Sequence, residues 1–78
     1  MPTVARIGPY RFFFYSSDRE EPPHVHVERD QNRAQFWLEP VRLQSSGGFR
    51  RPELRRVEQL VADNAERLLR EWHGFFGN

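Results

Sequence analysis

The chain has 78 residues, a formal net charge of +1 and no cysteine. A chain of this length buries only about 60% of its unfolded surface, so one small domain over residues 1–78 is expected. Disulfide frameworks and thiolate metal sites are excluded, and so is any strong overall attraction to nucleic acid or acidic membranes.

No apolar run approaches the roughly 18 residues of a membrane span. The first residues lack the basic and apolar regions of a secretory signal, so a cytoplasmic location and no membrane partner are expected. All 12 basic residues are arginine. Arginine's planar fork suits phosphate and carboxylate, although a coding bias accounts for the same choice.

Met1 to Pro9 opens as a short apolar lead, Val4-Ala5-Arg6-Ile7, broken by Gly8-Pro9. Tyr10 to Ser16 reads as an aromatic strand, with Tyr10, Phe12 and Phe14 on one side and Arg11, Phe13 and Tyr15 on the other. Ser17 to Glu21 is polar and acidic, as in a mobile, solvated loop closing a hairpin.

Pro22 and Pro23 lack amide hydrogens, so they end that loop and begin a strand. Strict alternation follows: His24, His26 and Glu28 point one way, Val25 and Val27 the other. After a turn at Arg29 to Arg33, Ala34 to Leu38 is a third strand. Its Ala34, Phe36 and Leu38 share a face opposite Gln35 and Trp37. Glu39-Pro40 turns into a fourth short strand, Val41 to Gln44, and Ser45 to Gly48 reads as a connector.

The remainder has helical spacing. Pro52 suits a first helical position and Glu53 complements the positive end of the dipole. Leu54, Val57, Leu60, Val61, Ala65, Leu68, Leu69 and Trp72 form an apolar stripe. Asp63 with Arg67 and Glu66 with Arg70 are i,i+4 pairs, and Gly74 is a natural stop. One helix from Pro52 to His73, about 30 Å long, is expected. Phe75 and Phe76 then fold back on the sheet edge.

The expected architecture is α+β: an antiparallel meander of three or four strands with one long C-terminal helix packed on one face. The helix covers Val25, Val27, Ala34, Phe36 and Leu38. The paired imidazoles and Trp37 look outward.

Three chemistries suit that outward face. His24 and His26 at i,i+2 on a strand can share a divalent metal such as zinc, with Glu28 or the distant His73 as third ligand and Asp18, Glu20 or Glu21 assisting from the loop. The same two histidines are candidate catalytic acid and base for metal-independent RNA cleavage, with Arg11 or Arg51 on the phosphate. Phe13, Tyr15 and Trp37 form a candidate interface, for bases or, more in keeping with the charge, for protein. Arg50 and Arg51, at the helix start, are candidate anion-binding residues. Each has an ordinary structural alternative in a hydrogen-bonded histidine, a solvated connector or an acidic loop.

Phe13 to Ser17, the Glu-Pro-Pro-His-Val-His-Val run of Glu21 to Val27, Ala34 to Val41, Gly48-Phe49 and the Leu-Leu-Arg-Glu-Trp helix together resemble the bacterial domain of unknown function 4160 family. The resemblance covers nearly the whole chain, and Pro-Pro-His-x-His-Val is its most specific part. It implies a small cytosolic protein in a toxin-antitoxin-like pair with a second small protein, with no established catalytic residues; the exposed aromatic face by itself suits a second copy as well. Many members carry a further histidine just before the two prolines, where this chain has Glu20 and Glu21.

Overall fold

The computed structural model describes residues 3–77. Five strands follow one another as a continuous antiparallel meander: β1 (Thr3–Ile7), β2 (Tyr10–Phe13), β3 (His24–Arg29), β4 (Asn32–Leu38) and β5 (Val41–Gly47), in the spatial order β1-β2-β3-β4-β5. A 3₁₀ turn spans Ser16–Glu20 between β2 and β3, and two helices, α1 (Arg51–Asp63) and α2 (Ala65–Phe76), complete the chain. The α+β class and the meander are as expected; the strand and helix counts are corrected.

The apolar lead pairs with β2 and becomes the extra strand, β1. The lead expected from Met1 to Pro9 begins outside the described residues. Of the stretch read as a connector, Ser45 to Gly48, the first three residues extend β5: Ser45 pairs with Gln35, Ser46 with Ala34 and Gly47 with Arg33. A bulge between Gln35/Ser45 and Phe36/Leu43 accommodates this longer strand. A bulge shifts alternation by one residue, which is why its polar tail did not read as a strand.

Gly48 then leaves the sheet at φ 95° against Asn32, a conformation and a closeness that a side chain would not tolerate.

The register fixes the faces. Phe12 lies opposite Val27 and Val25 opposite Phe36, whereas Phe13 lies opposite His26 and His24 opposite Trp37. Val25, Val27, Ala34, Phe36 and Leu38 accordingly join Tyr10, Phe12 and Phe14 in one core with Val57, Val61, Leu68, Trp72 and Phe76 from the helices. At about 25 cal/mol per Å² of apolar surface removed from water, this burial is the main favourable contribution to folding.

The predicted single helix is broken at Asn64, whose φ of −114° and ψ of 12° leave the helical region. Its side-chain amide donates to the Leu60 carbonyl at 2.8 Å, beside the backbone amide's own bond to that oxygen at 3.1 Å. An asparagine that competes for the i−4 carbonyl in this way disrupts the regular ladder. The break lets α1 pack on β4 and β5 while α2 is redirected across β4.

Helix α2 runs through Gly74, and the stop comes at Gly77, left-handed at φ 77° with its amide on the His73 carbonyl. Phe76 is therefore helical and packs on Trp72, with ring centroids 4.2 Å apart, while Phe75 stays 42% exposed. Of the expected helical ion pairs, Glu66–Arg70 forms at 3.8 Å; Asp63 accepts instead from Gln59 at 2.8 Å.

Candidate functional site

The expected loop at Ser17 to Glu21 is ordered as the 3₁₀ turn, and its one buried residue is Asp18. The Asp18 amide donates to the Tyr15 carbonyl at 3.0 Å, and the Tyr15 amide donates to Asp18 Oδ2 at 2.8 Å. These two bonds turn the carboxylate inward to the start of β3.

There it meets both histidines. Asp18 Oδ1 is 3.2 Å from His24 Nε2, and Asp18 Oδ2 is 2.9 Å from His26 Nε2. One donor atom from each of Asp18, His24 and His26 lies within 4.8 Å of the others.

His24 is fully buried, which corrects the expectation that both imidazoles look outward. The α2 indole explains it: Trp72 reaches the start of β3, its ring 5.2 Å from that of His24, while Trp37 lies on another side at 5.6 Å. Its Nδ1 is 2.9 Å from the Pro22 carbonyl. A carbonyl only accepts, so Nδ1 carries a proton. Nε2 is buried without a hydrogen-bond partner, its approach to Asp18 being poorly aligned for N–H···O. The two prolines thus do more than start the strand: one aims the imidazole through its carbonyl.

His26 is partly exposed and stacks on Phe13 at 5.3 Å, with Tyr15 edge-on at 4.6 Å. Burial lowers its pKa below the ordinary imidazole value, against the opposing pull of the Asp18 charge.

The other sequence candidates are dispersed. The Glu28 carboxylate accepts from Arg11 at 2.6 Å and lies 3.9 Å from Arg33, its neighbours across the sheet on β2 and β4, and it is not part of the cluster. His73 is exposed on α2 and stands apart from the group formed by Asp18, His24 and His26. Arg11 also donates to Thr3 at 2.7 Å and covers the Phe13 ring at 4.3 Å. Phe13 is consequently only 1% exposed, so the accessible surface here belongs to Tyr15 and Arg11. Trp37 is half-buried.

At the start of α1, Arg50 lines a cavity of about 460 Å³ with Pro9, Tyr10, Arg29, Pro52, Glu53 and Arg56. Arg51 is exposed beside it. The chain supplies an anion to this place itself: Glu53 accepts from the Tyr10 hydroxyl at 2.8 Å and pairs with Arg29 at 2.8 Å. The Tyr10 hydrogen bond, followed by Arg29, holds the Glu53 carboxyl below its usual range. Burial and the Glu53 charge push the Tyr10 phenol up.

Asp18 is the residue that carries most of the site and was least visible in the sequence, where it reads as one of several acidic loop residues. Its only signal was proximity to the two prolines and the histidines.

The fold and cluster define a small α+β protein with a two-histidine, one-carboxylate group where its first loop meets the sheet. The family profile described as Domain of unknown function (DUF4160) matches residues 10–73, and the chain belongs to that family. The match spans β2, the 3₁₀ turn, the cluster and the helices as far as His73. No curated protein and no solved structure matches the chain. Among the described residues no helix is long and apolar enough to cross a membrane.

Proposed function

We propose that this protein is an interaction module, one half of a toxin-antitoxin-like pair, which docks an acidic extended segment of a small cognate protein along β5. The observation that carries the reading is the edge itself. Six of the seven β5 residues are exposed, and Leu43 presents a large apolar side chain at 41% exposure. An edge strand offers unpaired backbone donors and acceptors to an added strand.

Next to this edge lies an open cavity of about 260 Å³, lined by Tyr15, His26, Arg33, Gln35, Ser45 and Ser46 among others. Arg42 on β5 and Arg33 on the adjoining β4 are both exposed. The two arginines favour an acidic partner, and they oppose pairing with a second copy, which would bring like charges together. The β5 bulge works in the same direction, since bulges blunt indiscriminate edge pairing.

The endoribonuclease alternative has less support, because a substrate has no access to the fully buried His24 ring. Co-expression with the product of the adjacent gene tests the reading. A stable complex that Leu43→Asp disrupts, with the variant still folded, is the expected result. A protein that stays monomeric at micromolar concentration and ignores that product would refute it.

A further inference from the structure

Apart from its docking edge, the molecule contains a cluster that its packing leaves chemically incomplete. We infer that Asp18, His24 and His26 form a binding centre for a first-row divalent cation, with zinc the best match to two imidazoles and a carboxylate.

The first argument is the orphaned nitrogen. His24 has no exposed surface, and its Nε2 has no hydrogen-bond partner. The Pro22 carbonyl at 2.9 Å engages the Nδ1 proton, so Nε2 is the ring nitrogen left to act as a ligand. Nε2 lies 3.2 Å from Asp18 Oδ1 but out of line with it, so the contact satisfies neither atom in a buried place. A cation bound by both atoms converts this unsatisfied contact into two bonds. Leaving a buried polar atom unpaired otherwise costs about 1–3 kcal/mol.

The second argument is orientation. Metal-bound histidines usually donate their other ring nitrogen to a carbonyl or carboxylate, which sets tautomer and aim. The Pro22 carbonyl does this for His24, and Pro22-Pro23 gives it a rigid mount. Asp18 is steadied in turn by the Tyr15 amide at 2.8 Å.

Spacing is the third argument. Ligand bonds of about 2.0–2.1 Å place neighbouring donors roughly 3 Å apart around one ion. The separations of 3.2 Å from His24 Nε2 to Asp18 Oδ1 and 2.9 Å from His26 Nε2 to Asp18 Oδ2 are of that size, and one donor from each of the three residues lies within 4.8 Å of the others. His26 becomes a ligand by moving its proton from Nε2 to Nδ1, so the ring stays neutral. Three protein donors leave at least one coordination position for water or an incoming donor. The absence of sulfur from the set disfavours soft monovalent copper.

The test uses the full chain, untagged and stripped with EDTA. Calorimetric titration with zinc chloride should show one ion bound per chain, and saturating zinc should raise the Tm. Cobalt(II) should produce visible absorption bands from the same site. Asp18→Asn and His26→Gln, each checked for a native circular-dichroism spectrum, should weaken zinc binding by at least about ten-fold. Glu28→Gln and His73→Gln should bind as the parent does. Failure of the parent to bind zinc, cobalt or nickel at micromolar concentration overturns the proposal. Unchanged affinity in a folded Asp18→Asn variant overturns it as well.

Discussion

The two faces of the sheet carry nearly the same number of aromatic rings and have opposite characters. Under the helices, Phe12, Phe14 and Phe36 pack with valines and leucines, and that face is dry and apolar. On the other face, Phe13 and Trp37 stand among His24, His26, Arg11, Glu28 and Asp18, so each aromatic contact there also adjoins a charge or a hydrogen bond. The comparison teaches that burial alone does not mark core. Phe13 and His24 are as hidden as Phe36, yet Phe13 lies under the Arg11 side chain, and His24 lies between Asp18 of the 3₁₀ turn and the Trp72 indole.

Phe36 and Trp37, adjacent in sequence and on opposite faces, give the sharpest test of that contrast. Phe36→Ala removes a fully buried ring from the close-packed side and should cost about 3–5 kcal/mol, much of a small domain's whole stability. Trp37→Ala, at a half-exposed site, should cost well under half as much. Urea unfolding of the two variants measures the difference, and equal losses would erase the distinction between the faces.

A smaller effect is expected where β5 gives way to α1. Gly48→Ala forces a side chain into a left-handed backbone position against Asn32 and should cost about 1–3 kcal/mol. The same unfolding measurement reads it, and a neutral outcome would mean that this crossing relaxes freely.

The smallest effect concerns the tie between the helix start and the sheet. The Glu53 carboxyl is held below its ordinary value chiefly by the Tyr10 hydroxyl. A carboxylate with a depressed folded pKa contributes stability above its unfolded pKa, and that contribution disappears as pH falls through the folded value. Tyr10→Phe should therefore make stability less sensitive to acidification between neutrality and about pH 3, the range in which carboxylates titrate. An identical pH profile in parent and variant would show that this bond does not link Glu53 protonation to folding.

The sequence by itself determined which residues share a face. Alternation at His24 to Glu28 and Ala34 to Leu38, with the helical stripe from Leu54 to Trp72, places the core correctly because side-chain direction follows from local backbone period alone. It also pointed to His24 and His26, since two histidines spaced by one residue on a strand must lie on the same side.

Only the tertiary structure decided the rest. Asp18 becomes the third member of the cluster because the turn folds over the start of β3. Glu28 leaves it because Arg11 lies across from it on β2. His24 is sealed because a side chain of Asn64 breaks the helix and α2 brings Trp72 to the strand end. Each of these outcomes depends on contacts between residues far apart in the chain, and local periodicity carries no information about them.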